Sequence, residues 1–467
     1  MLLHNIDGLT FSLMIALAFV GVLMIFSVNH EEFLEVGWPG FFSTAAGKQT
    51  IWVGICAVIF TFVMLFDAKF WRAFAYSIYG FSLFLLVLVL LFGTNIKGAT
   101  SWFTFGGFSF QPSEIAKFGT CLGMAAFLDT YNTDLRSARS QLTALLILLL
   151  PMSLILLQPD AGSAMVFLSF LILMYREGLS QNYYLVGGLV AALLISALAL
   201  TNDFFIYLTM LLLSIGWITY LITKRSIRST VMGGLLAAGA GAYYLTYAGF
   251  GQYVVASLAV IFLGTAYGGY RKREGRLARA LIVFCLLGSG LVFASDYAFN
   301  NLLKPHQQDR INVWLNPDEC DTRGSLYNLE QSKIAIGSGN IAGKGFLDGT
   351  MTKLNYVPEQ STDFIFCTIG EEQGFIGTAG IIVLFCLLLV RLITIAERQR
   401  DDFSRYYAYG VIGILFIHVF INIGMTMGLM PIIGIPLPFI SKGGSSLLGF
   451  TLMLSVLLKL DKHRHRI

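Results

Sequence analysis

The segment Tyr356-Val-Pro-Glu-Gln-Ser-Thr-Asp-Phe364 places two carboxylates, Glu359 and Asp363, in a polar stretch of an otherwise apolar chain. If both lie on one helical turn, their i,i+4 spacing puts them on one face. Two close carboxylates can share a proton or hold a divalent cation, magnesium or manganese. The competing assignment is structural, with Thr362 or Asp363 capping a helix that starts near Phe364. Lys344 lies between Gly343 and Gly345, where bare backbone lets an anion approach closely. Its plainer reading is a solvated loop charge. Glu114 and Lys117 stand at i,i+3 inside an apolar run, so each can neutralise the other. That pair either links helices or touches a substrate.

The elements that must position these groups are membrane helices. Of the 467 residues, 56% are hydrophobic and 12% are charged, against roughly 25% charged in a soluble protein. Apolar runs long enough to cross a hydrocarbon core of about 30 Å recur along the whole length. The reading is an all-α polytopic membrane protein of about fourteen transmembrane helices. The spans fall at roughly 11–28, 50–66, 74–93, 113–129, 141–157, 161–176, 183–200, 204–222, 230–248, 252–269, 280–298, 373–395, 404–424 and 443–460. The first reads as a spanning helix and not a removable signal peptide, because it lacks a basic flank and a small-residue cleavage site. The six cysteines include no CxxC pair and no paired loop positions, so neither a zinc site nor a disulfide framework is expected. A net charge of +4 is too small to suggest nucleic acid.

The distribution of basic residues orients the map. With a cytoplasmic N-terminus, every inner connection carries or adjoins Lys or Arg, from Lys69 and Arg72 through Arg136 and Arg139 to the tail Lys459 to Arg466. The outside then receives residues 94–112, a large ordered loop over 299–372, and the Gly/Pro-rich turn 427–442. Connections this long in a compact protein are usually functional or disordered. The aromatic and aliphatic residues of 299–372 argue for order, so the working face is the outer one.

Four segments carry a resemblance. They are Asn95 to Trp102 continuing into Gln111-Pro-Ser-Glu-Ile-Ala-Lys117; Gln158-Pro-Asp-Ala-Gly-Ser-Ala164; Gln331 to Gly339 with Gly343-Lys-Gly-Phe346, Pro358 to Phe366 and Gly370-Glu-Glu372; and Asn422-Ile-Gly-Met425 with Gly434-Ile-Pro-Leu-Pro-Phe-Ile-Ser-Lys-Gly-Gly-Ser-Ser446. In this order and over most of the chain, they resemble the SEDS family of bacterial cell-wall proteins, the RodA/FtsW/SpoVE group. The early first span leans towards RodA. The resemblance implies a ten-helix core, here with about four extra helices. It divides the chain into 1–182 and 373–467 as membrane core, 183–298 as the block holding the added helices, and 299–372 as the extracytoplasmic catalytic loop. Three positions depart from the family pattern. Ser361 stands where His is usual, Lys442 where Tyr is usual, and Ser101 where Arg often precedes the tryptophan.

The implied activity is a peptidoglycan glycosyltransferase at the outer face of the cytoplasmic membrane. It polymerises lipid II, releases undecaprenyl pyrophosphate, and works with a class B penicillin-binding protein of the elongation type. No organic cofactor is implied. The reaction needs a base for the acceptor hydroxyl and positive charge for the departing pyrophosphate. The resemblance gives the base to Asp363, and without the histidine the mechanism should not depend on an imidazole. Lys97, Lys117, Lys333, Lys344 and Lys442 are candidates for phosphate contact. Supporting candidates are Glu359, Thr362, Trp102, Gln111, Ser113, Glu114, Asp160, Ser441 and Ser445. Several have structural readings as well. Gln111-Pro-Ser-Glu114 is a helix start with proline at the first position. Trp102 can be an interfacial anchor, and Asp160 an N-cap. The glycines of 434–446 can serve tight turning alone. Competing functions are a lipid II flippase, which would need polar residues along its whole path, and a non-catalytic scaffold, which would leave Asp363 without a task.

Overall fold

The computed structural model describes residues 6–199 except 97, 106, 107, 131 and 132, and then 290, 294, 295, 297–317, 320 and 324–464. The spans read at 204–222, 230–248 and 252–269, nearly all of 280–298, and Lys97 lie outside the described residues. So does the count of fourteen.

The helices are α1 (Gly8–Val28), α2 (His30–Val36), α3 (Ala45–Leu65), α4 (Ala68–Ala73), α5 (Ala75–Phe92), α6 (Pro112–Leu128), α7 (Ala138–Leu157), α8 (Ala161–Val166), α9 (Phe170–Arg176), α10 (Gln181–Ala199), α11 (Pro305–Leu315), α12 (Ser325–Ser338), α13 (Thr350–Lys353), α14 (Ile365–Glu397), α15 (Asp402–Thr426) and α16 (Gly444–His463). Among the described residues, α1, α3, α5, α7, α14, α15 and α16 are long and apolar enough to cross a membrane. The spans read from hydropathy coincide with these to within a few residues, except that α14 starts earlier than its span at 373–395. It bends at Gly374, whose φ of 64° breaks the helical path. A Cβ there would lie 2.3 Å from the Gly343 amide, so only glycine fits the close approach.

The chain divides into two compact units, residues 1–181 with 320–467, and residues 182–319. In the smaller unit, α11 starts with Pro305 and carries His306, Asp309 and Arg310. There the Asn316 amide donates to the Leu198 carbonyl at 3.3 Å.

In the larger unit, α16 packs on α3 and α6, and α14 packs on α15, α12 and α1. Ion pairs gather helix termini at one end. Arg391 donates to Asp7 at 3.1 Å. Arg398 joins Asp7, at 3.1 Å, to Asp461. Arg72 bridges Asp129 and Asp401. Burial alone would raise the Asp7 carboxyl, but the Arg391 guanidinium and the Thr10 amide hold it well below the usual carboxylate range. These contacts tie the start of α1 to the far ends of α14 and α16. The connections 94–110, 158–160, 339–364 and 427–443 therefore meet at the opposite end.

One of those connections corrects the all-α expectation. Residues 94–110 form a small antiparallel sheet of β1 (Thr94–Ile96), β2 (Ala99–Phe105) and β3 (Phe108–Phe110), in that order. Thr94 pairs with Trp102, and Thr104 pairs with Ser109. The run Ala-Thr-Ser-Trp-Phe-Thr-Phe is rich in β-branched and aromatic residues, which fit a pleated surface better than a helix.

Candidate active site

Asp363 lies in a run of turns between α13 and α14, half-buried, with Glu359 exposed. Glu359 has a φ of 59°, so it is not on an α-helical turn and the i,i+4 face expected from the spacing does not form. The chain instead folds back on the Glu359 carbonyl. That oxygen accepts from the Thr362 amide at 3.1 Å and the Phe364 amide at 3.3 Å. The Thr362 hydroxyl donates to Glu359 Oε2 at 3.0 Å and orients that carboxylate. The N-cap position of α14 is Phe364, whose side chain makes no cap bond, so neither Thr362 nor Asp363 occupies the cap position that was the structural alternative.

Three successive carbonyls of this turn are held from across the fold. The Lys442 amide donates to Ser361 O at 2.9 Å. The Ser441 hydroxyl donates to Thr362 O at 2.6 Å and accepts from the Leu437 amide at 2.8 Å. The Asn422 amide donates to Asp363 O and to Ile435 O, both at 2.8 Å. Ser361 and Lys442, two of the departures from the family pattern, thus meet through their backbones. The loop that supplies the Ser441 and Lys442 donors begins Gly434-Ile-Pro-Leu-Pro438, with no regular structure. Its prolines have no N–H, and buried irregular backbone needs partners from its neighbours. A Cβ on Gly21 would lie 2.6 Å from the Phe439 carbonyl, so α1 passes tight against the same loop.

Beneath the loop lies a sealed polar group. Glu114, Lys117 and His418 are all at least 98% buried. Lys117 Nζ donates to Glu114 Oε1 at 2.7 Å and lies 3.0 Å from His418 Nε2. His418 Nδ1 lies 3.0 Å from the Pro436 carbonyl. A carbonyl can only accept, so Nδ1 carries the proton and Nε2 accepts from the ammonium. The pair thus links α6 to α15 and to the 434–442 loop, which is its structural reading.

Glu371, fully buried near the start of α14, gathers four donors. They are Lys344 Nζ at 2.6 Å, the Met351 amide at 2.8 Å, the Thr352 amide at 2.9 Å and the Thr352 hydroxyl at 2.8 Å. This carboxylate organises 343–352 and aims Lys344, whose side chain keeps 28% of its surface exposed. Glu372 beside it accepts from the Ser27 hydroxyl of α1. Replacing Glu371 by Ala leaves the paired ammonium and three further donors without their acceptor. The expected cost is about 3–5 kcal/mol, read as a lowered thermal midpoint of the purified protein.

The other predicted residues join the same end. Gln111 stands at the N-cap position of α6 without a side-chain cap bond, with Pro112 next and Glu114 in the first turn, as the helix start read from sequence suggests. Its amide N–H donates to Ser445 Oγ at 3.2 Å, and Ser445 donates to Ser109 O at 3.0 Å. Gln111 Nε2 reaches Asp160 at 2.9 Å. Asp160 caps α8 through the Ser163 amide at 3.0 Å, and so also joins two helix starts. Ser113 is buried against Ser163. Trp102 is half-buried on β2, and its carbonyl accepts from Thr94. Lys333 is exposed on α12. Sequence reasoning gave no role to His418, Asn422 or Glu371. The available signal was a polar residue inside, or at the mouth of, an apolar span.

A family model described as a cell cycle protein, covering FtsW, RodA and SpoVE, matches residues 7–219 and 250–466. The chain belongs to this family. The model passes over 220–249, within the block where added helices are expected. The peptidoglycan glycosyltransferase RodA of Treponema pallidum is 32% identical over 95% of this chain and 94% of its own length. The peptidoglycan glycosyltransferase MrdB of Escherichia coli K12 is 29% identical over 99% of this chain and 94% of its own. A chain from a solved peptidoglycan synthase complex, described as coordinating polymerization and crosslinking, superposes with a TM-score of 0.65 at 23% identity. It covers 99% of both chains and supports the fold. The FtsW/RodA/SpoVE match thus includes every segment of the candidate site.

Proposed function

We propose that this FtsW/RodA/SpoVE member is a peptidoglycan glycosyltransferase that polymerises lipid II for cell elongation and rod shape, with Asp363 as its general base. The observation that carries this reading is the half-buried Asp363 on a turn whose carbonyls are tied to two side chains and one backbone amide of other segments. Its carboxylate takes the proton of the acceptor C4 hydroxyl as the oxygen attacks the donor's anomeric carbon. The glycosidic C–O bond forms, the bond from that carbon to the pyrophosphate oxygen breaks, and undecaprenyl pyrophosphate leaves with its electron pair. Lys442, half-buried beside Ser361, supplies positive charge near the reacting centre, and Lys344 supplies it from the Glu371-organised segment.

In this reading Glu359 and Asp363 are the candidate ligands for a magnesium or manganese ion that keeps several waters, since carboxylates match that hard-donor chemistry. Such an ion, when bound, adds positive charge for the pyrophosphate. The basic residues at the end holding Arg72, Arg391, Arg398 and Arg464 favour a cytoplasmic assignment there. That puts both termini inside and Asp363 on the extracytoplasmic side of a bacterial inner membrane. The partner this reading implies is a class B penicillin-binding protein.

Proteoliposomes of the full chain with that partner and labelled lipid II test the assignment. Polymerised glycan supports it. Transfer of lipid II between leaflets without polymer makes the chain a flippase. Neither activity makes it a scaffold.

A further inference from the structure

We infer that Asn422 is a positioning residue for Asp363, holding the base in register with the 434–442 loop without touching substrate. The inference rests on the function proposed above. Asn422 is fully buried on α15. Its two N–H groups are both used, one on the Asp363 carbonyl and one on the Ile435 carbonyl, each at 2.8 Å. Two carbonyl oxygens facing one side-chain terminus fix its orientation, because only the NH₂ side of the amide can donate. Its Oδ1 is buried with no hydrogen-bond partner among the described residues. The amide therefore spends its donors on two segments that are distant in sequence and leaves its acceptor unused. A residue present only to satisfy the core would usually be placed to use both.

The surroundings make the tie directional. His418, one turn earlier on the same helix, meets the next loop carbonyl, Pro436 O, at 3.0 Å. The loop is thus fixed to α15 at two successive carbonyls and can serve as a reference for the turn. Ser441 and Lys442 then carry that reference to Thr362 O and Ser361 O. Asn422 reaches the carbonyl of Asp363 itself. The bond to its own carbonyl sets where the Cα, and hence the carboxylate, can stand. A misplacement of about 1 Å in a reacting group can cost about 10²-fold in rate.

Two variants and two readouts test this. Asn422→Asp keeps the shape but turns a donor pair into an acceptor facing two carbonyl oxygens. Asn422→Gln keeps both N–H groups on a longer arm. With the full chain, its partner and lipid II, kcat per folded enzyme falls about 10²-fold in Asn422→Asp. KM for lipid II changes by less than about threefold, since the residue does not touch substrate. Asn422→Gln recovers part of the loss. Hydrogen exchange, which needs no turnover, speeds up in the peptides covering 359–366 and 435–442 of Asn422→Asp. A kcat within about twofold of wild type, or a loss confined to KM, overturns the inference. So does unchanged exchange in both peptides. If the wild type does not polymerise at all, the proposed function fails and exchange alone decides whether Asn422 ties the turn to the loop.

Discussion

Asp363→Asn is expected to lower the polymerisation kcat by about 10²–10⁴-fold while lipid II still binds, the range for loss of a general base. Asparagine has nearly the same shape as aspartate but cannot take the acceptor proton at neutral pH. The turn is held by its backbone, through Ser361 O, Thr362 O and Asp363 O, so the substitution leaves the Lys442, Ser441 and Asn422 bonds in place. The thermal midpoint of the variant should match the wild type. Asp363→Glu retains a carboxylate but moves it by a methylene, and the kcat loss should still approach about 10²-fold. A fold-preserving Asp363→Asn enzyme with normal turnover would leave the clamped turn without a catalytic purpose.

Lys117→Ala is expected to destabilise the protein by about 3–5 kcal/mol, the cost of leaving a buried charge uncompensated. The ammonium is 1% exposed and holds Glu114 on one side and His418 on the other. It also lies 5.5 Å from the centre of the Phe450 ring. Its removal strands the Glu114 carboxylate, whose Oε2 already has no hydrogen-bond partner among the described residues. The double variant Glu114→Gln with Lys117→Met should recover most of the loss, because it removes both charges together. Thermal denaturation of the wild type and the two purified variants reads the result. Equal loss in the single and double variants would mean that packing, not charge, makes the site fragile.

The spans were the most legible part of this chain, since hydrophobic length alone dictates them. Their ends match α1, α3, α5, α6, α7, α15 and α16 to within a few residues. The sheet at 94–110 was less visible, because three short strands carry little periodicity against the long apolar helices around them. The early start of α14 was hidden by Glu371 and Glu372, which fell in the loop read over 299–372. Glu371 is in fact a buried hub, and Gly374 a bend inside the helix. The composition of 356–364 marked a cluster of polar residues, but not its shape. Glu359 adopts a left-handed conformation that helical spacing arithmetic does not foresee. The carbonyl clamp was invisible for a different reason. Asn422 reaches Asp363 across 59 positions, and no local pattern encodes such a bond. A polar His418 and Asn422 at i,i+4 on an apolar helix were the trace it left.

The central claim is most directly tested by incubating purified wild-type and Asp363→Asn protein, each with the proposed penicillin-binding partner, with lipid II and resolving the products by size. The account predicts long glycan strands from the wild type and unreacted lipid II from the variant. Strands of equal length and yield from both would contradict it.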